Sequence, residues 1–148
     1  MKHNLERFIK AQEDSYKTAL QEIKAGRKRT HWIWFIFPQL KGLGKRNYSE
    51  YYGICSLDEA KEYLSNDILF ARLIEITTAL LELDEKNIID IMGSPDDLKL
   101  KSSMTLFYVT SNNCLFKKVL DKYFEGNLDN KTLELLELLN EKSFSRWK

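Results

Sequence analysis

The chain has 148 residues, 43% hydrophobic and 30% charged, with 23 basic against 22 acidic side chains and a formal net charge of +1. That size and balance fit one globular domain with its own core, and they exclude a global electrostatic pull toward nucleic acid or anionic lipid. Cys55 and Cys114 lie far apart, with only His3 and His31 as further soft ligands, so neither a metal site nor a disulfide framework is expected.

The N-terminal residues enter an amphipathic pattern without an apolar signal core, and no apolar run reaches membrane-spanning length. A reducing, cytoplasmic location away from membranes is the expectation. Leu5, Phe8, Ile9, Gln12, Tyr16, Ala19, Leu20 and Ile23 recur at helical spacing, and Gly26 suits a left-handed residue just past the helix end.

Lys24 to Lys45 is the most unusual stretch, centred on His31-Trp32-Ile33-Trp34-Phe35-Ile36-Phe37-Pro38. Arg27-Lys28-Arg29 precede this centre, and Gly42-Leu43-Gly44-Lys45 follow it. So apolar a segment must be buried, either as core or as the floor of a ligand site. Aromatic and β-branched residues favour a strand, yet polar alternation is missing and Pro38 stops the run. A short, fully buried helix is therefore expected between Thr30 and Phe37. Gly42-Leu43-Gly44 reads as a loop, and Tyr48 to Gly53 as a brief aromatic turn or helix.

Ser56-Leu57-Asp58-Glu59 matches a capping box opening a helix to about Leu64. Asn66 or Asp67 caps the next, with Ile68, Leu69, Leu73, Ile76, Leu80 and Leu83 as its buried stripe. A short apolar piece from Ile88 to Met92 ends at Gly93. Ser94 is then read as an N-cap, with Pro95 at the first helical position and Asp96 and Asp97 complementing the helix dipole. That helix should run to about Val109, burying Leu100, Met104, Phe107 and Tyr108. Leu115 to Phe124 is again helical, and Asp129 caps a final leucine-rich helix. The expected fold is all-α, a single compact domain over residues 1–148 with about six to seven helices.

Several of these residues suggest a site. Glycines such as Gly42 and Gly44 admit close approach of backbone amides to a phosphate, and Lys45 or Arg46 would add charge, although no Walker or dinucleotide motif is present. The bland reading is a tight turn. Arg27-Lys28-Arg29 beside Trp32 and Trp34 has the chemistry of single-strand binding, where rings stack on bases, but rings packed between Ile33 and Ile36 are more often core. His31 has the only side chain near this stretch that changes protonation near neutral pH. On the later helix Asp96 and Asp97 point apart, Asp97 can pair with Lys101 at i,i+4, and Lys99 shares a face with Ser103. With Ser102 and Ser103 among buried neighbours, this helix is more polar than a core needs, which suits the wall of a pocket.

The residues His31 to Leu40, Gly42-Leu43-Gly44, Tyr52-Gly53-Ile54, Glu59-Ala60 with Tyr63-Leu64, and Pro95 to Phe107 resemble the domain-of-unknown-function family eighteen-ten. The resemblance runs from about Leu5 to the stretch Thr132 to Leu136. It implies a small, mainly helical single-domain protein and carries no activity. Lys45-Arg46-Asn47 after the glycines is a departure that bears on ligand preference. Some bacterial members are labelled calpastatin, a protease inhibitor whose inhibitory regions are disordered, whereas this chain is rich in core residues. A looser likeness in size and helical class links the chain to NADAR glycosidases acting on ADP-ribose derivatives, and no residue carries over from them.

Two functions are expected from different classes. The first is a pocket protein, with or without catalysis, for an anionic nucleotide-like or ADP-ribose-like small molecule. Trp32 or Trp34 would stack on its ring, and Arg29, Gly42, Gly44, Lys45, Lys99, Lys101, Ser102 and Ser103 would hold its polar part. His31, Asp96 and Asp97 are the acid/base candidates, and no cofactor is implied. The second is a non-catalytic module that docks a protein partner on a helical face. Single-stranded nucleic acid is a third and weaker reading.

Overall fold

A computed structural model describes residues 3–44, 47–85 and 87–146, with side chains as far as residue 139. The described residues form nine helices: α1 (Glu6–Lys24), α2 (Ile33–Ile36), α3 (Asn47–Tyr52), α4 (Leu57–Ser65), α5 (Asp67–Leu81), α6 (Ile88–Met92), α7 (Asp96–Ser111), α8 (Cys114–Phe124) and α9 (Asn130–Arg146). The expected all-α architecture is what forms. Six helices are nine residues or longer, and α2, α3 and α6 are the short pieces that raise the count. One isolated parallel bridge joins Leu40 to Ile54.

Helix α1 packs on α5, α5 on α8, and α8 on α7, while α4 spans α5 and α7 and α9 closes over α7. Rings from four helices make a continuous spine through the centre. Phe8 lies 5.2 Å from Tyr63, Tyr63 lies 5.2 Å from Phe107, and Phe107 lies 5.9 Å from Phe116. All four are fully buried, each stabilising the fold by about 1.5–3 kcal/mol before the entropy of ordering is subtracted. The spine ties sequence-distant helices into one core.

Local signals work where they are satisfied by neighbours in the chain. Gly26 has φ +83° just beyond α1, as its position suggested. Asn66 accepts from the amides of Ile68 and Leu69 to cap α5, and Asp129 accepts from the Thr132 amide at the start of α9. Ser56 accepts from the Glu59 amide at 3.2 Å, but the reciprocal bond shifts by one residue, with Glu59 Oε1 accepting from Cys55. The reason is tertiary: Glu59 is buried and also pairs with Arg7 at 2.9 Å.

Other expectations are corrected. Ser94 does not cap α7; Pro95 occupies the N-cap position outside helical geometry, and the Gly93 carbonyl takes the Asp97 amide. Ile68 is 48% exposed, because Leu69 rather than Ile68 falls on the face of α5 turned toward α1 and α8. Helix α2 is a single turn and only half enters the core. Ile33 and Ile36 are buried, while Trp34 and Phe35, on the opposite side of so short a turn, are half-buried.

Candidate functional site

That division of α2 builds the site. The loop before α2 is held first: Glu22 on α1 accepts from the amides of Arg29 and Thr30 and from the indole N–H of Trp32. Burial works to raise the Glu22 pKa, but these donated bonds outweigh it and bring the carboxyl down to about 2. Lys28 adds a second anchor, donating its amide to the Ile91 carbonyl and its ammonium to the Thr30 carbonyl. With the loop fixed, Trp32 enters the core, and Trp34 and Phe35 are left half-buried where they line a cleft.

Helix α3 supplies the opposing rings. Tyr48 and Tyr52 are one turn apart and share a face. Trp34 lies 4.9 Å from Tyr48, and Phe35 lies 5.3 Å from Tyr52, so the four rings form one wall. Burial, followed by the neighbouring phenols of Tyr51 and Tyr48, pushes the Tyr52 hydroxyl above the usual phenol range. Ala11, Asp14 and Ser15, at i, i+3 and i+4 on α1, complete an open cleft of about 840 Å³, with His31 and Asn47 also lining it. A volume of that order accommodates a drug-sized or nucleotide-sized molecule.

The cleft gathers only part of the predicted site. Trp34 and His31 line it. Trp32 is 1% exposed and belongs to the core. Arg29 is exposed and contributes its backbone to the Glu22 network. Gly42 has φ +101°, and a Cβ on Gly44 would stand 2.7 Å from Ser49 Cβ, so both glycines serve a turn and a close approach. Lys45 lies outside the described residues.

The α7 residues separate because a helix turns them to different neighbours. Asp96 sits between two lysines, with Oδ2 at 2.8 Å from Lys28 and Oδ1 at 3.2 Å from Lys99. The Lys99 ammonium also lies 5.4 Å from the Trp34 ring centroid, beyond the residues that line the cleft. Asp97 makes no pair with Lys101; it is buried, and its Oδ1 has no hydrogen-bond partner among the described residues. Lys101 instead lies 5.9 Å from the Phe124 ring. Ser102 bonds to the Leu98 carbonyl and to Asp129, and Ser103 is fully buried with an unpartnered hydroxyl. Ser102 thus docks the start of α9 and Asp96 anchors the α1–α2 loop, and none of these α7 residues is among those that line the cleft. Of His31, Asp96 and Asp97, only His31 lines the cleft.

Asp14, Ser15, Phe35, Asn47, Tyr48 and Tyr52 line the cleft but are not among the site residues expected from the sequence. The available signal was the Tyr48-x-x-x-Tyr52 spacing and the small or polar Ala11-Asp14-Ser15 face of an otherwise well-packed helix. Among the described residues, no cluster of His, Cys, Asp and Glu is arranged to hold a metal ion. No helix among them is long and apolar enough to cross a membrane.

The family model described as a protein of unknown function, DUF1810, matches residues 2–136. The chain belongs to this family. The resemblance carried by the aromatic segment and the α7 motif is thus confirmed over nearly the full length. This DUF1810 member is also similar to a solved structure, that of the conserved hypothetical protein Rv1873 from Mycobacterium tuberculosis. The two share 47% identity with a TM-score of 0.89, over 90% of this chain and 96% of that one. No curated protein matches the chain.

Proposed function

We propose that this DUF1810 protein binds a planar, nucleotide-like small molecule in the α1–α2–α3 cleft, its ring stacked on the wall containing Trp34 and Tyr48. One observation carries the reading: two large rings 4.9 Å apart stand at the cleft with Tyr48 59% exposed. Core packing does not need that exposure, whereas a stacking platform does, and ring-on-base stacking stabilises a complex by about 1–3 kcal/mol per base. The anionic part of the ligand is assigned to the His31 side of the cleft. The proposed function is binding; no reaction is assigned, because, of the expected acid/base residues, only His31 lines the cleft.

The test is a panel of nucleosides, nucleotides and ADP-ribose read by tryptophan fluorescence and melting temperature, with Trp34→Phe as the control. Quenching that disappears in Trp34→Phe, together with a raised melting temperature, is expected. A panel without either effect would end the proposal.

A second reading, a protein-interaction module, is supported by a groove of about 660 Å³ lined by Leu57, Val109, Leu133, Leu136 and Leu139. Val109 and Leu139 are each 39% exposed there. Concentration-dependent self-association lost on Val109→Lys would favour it, and a monomer at all concentrations would count against docking of a second copy.

A further inference from the structure

Resting on the stacking reading above, we infer that Asp14 makes the cleft selective for a ring with two adjacent N–H donors, the edge presented by guanine. Asp14 lines the cleft from α1, beside Ala11 and Ser15, and it is an exposed carboxylate with no hydrogen bond or ion pair to any described residue. No lysine or arginine is among the described residues that line the cleft. A ring laid on Trp34 and Tyr48 shares the cleft with this carboxylate. A carboxylate accepts hydrogen bonds only, so a ligand that shields it must donate or leave it unsatisfied at a substantial cost.

The nucleobases differ sharply on this point. Adenine and cytosine each present an amino group next to a ring nitrogen that accepts, which repels the second carboxylate oxygen. Uracil presents one N–H flanked by two carbonyls. Guanine presents N1–H and the 2-amino group side by side, matching both oxygens with two parallel charge-assisted bonds. Ser15 and Asn47, also in the cleft, bring donors suited to the guanine O6. The cleft therefore combines a sequence-tolerant stacking surface with one group that discriminates among bases.

Guanosine, inosine and adenosine are the probes, titrated into the full chain and into Asp14→Asn with tryptophan fluorescence as the readout. Nucleosides are used so that phosphate does not add its own electrostatics. Inosine differs from guanosine only by the missing 2-amino group. The expected result is guanosine binding about 10-fold tighter than inosine or adenosine, with the preference abolished in Asp14→Asn. Asp14 is exposed and pairs with no described residue, so the variant should melt within error of the parent, which separates lost selectivity from lost folding. If all three nucleosides quench alike and Asp14→Asn changes nothing, the selectivity is overturned while stacking stands. If none binds, both inferences fall.

Discussion

The indole N–H of Trp32 donates to Glu22 Oε1 at 2.9 Å, so a core tryptophan is tethered to a carboxylate on α1. The same side chain accepts from Thr30 Oγ1 at 2.8 Å and from the Arg29 amide at 2.8 Å. One carboxylate thereby organises the segment that delivers Trp34 and Phe35 to the cleft.

An acid-dependent loss of stability follows. The Glu22 pKa is lowered from 4.5 to about 2 in the folded chain, so its contribution is present above pH 4.5 and is lost as pH falls toward 2. Glu22→Gln should lower stability at neutral pH by about 1–2 kcal/mol, a figure reduced for solvent screening. It should also flatten the acid limb of the stability curve below pH 4.5. Urea unfolding at neutral pH and in that acid window measures both.

Lys28, Asp96 and Lys99 should behave as a unit. Asp96→Asn leaves the Lys28 ammonium, whose side chain is only 6% exposed, facing Lys99 without a counter-charge. A loss of about 2 kcal/mol is expected. Lys99→Gln in the same background should recover part of it, and a thermal double-mutant cycle reads the coupling. Strict additivity would show that the two cations do not share Asp96.

Gly53→Ala should be far more harmful than Gly26→Ala. At Gly53 a Cβ would stand 2.7 Å from Lys41 Cα and from the Ser49 carbonyl, forcing apart the bridge between Leu40 and Ile54. That clash should cost about 2–3 kcal/mol. At Gly26 the space is open and only the positive φ is strained, for about 1 kcal/mol. Denaturant midpoints of the two variants give the comparison.

Asp129→Ala should loosen α9 at its start. Asp129 Oδ2 accepts from the Thr132 amide at 3.0 Å, the Thr132 hydroxyl at 2.6 Å and Ser102 at 3.2 Å. Loss of the cap is expected to cost about 1–2 kcal/mol. Hydrogen exchange should rise first in α9 and leave the spine around Phe107 protected.

Much of the helical framework was legible because its signals are local. Periodicity marked α1 and α5, and Asn66 and Asp129 cap as their side chains allow. Ser94-Pro95 misled because an adequate local cap was outcompeted by the Gly93 carbonyl. The polar character of α7 is legible in the sequence, but its partners are not: Ser102 bonds to Asp129, and Asp96 pairs with Lys28 and Lys99.

Residue spacing alone determined that this chain is helical and where most helices start and stop, since those properties depend on neighbours within a few positions; the family resemblance rests on the motifs from His31 to Phe107. Only the tertiary structure decided that Trp32 is core and Trp34 wall, and that Asp14 meets Tyr48 and Tyr52 across one cleft. The reason is geometric. Asp14 and the tyrosines have no local bond that betrays a shared purpose, and their common face exists only once α1, α2 and α3 are packed around Glu22 and its anchored loop.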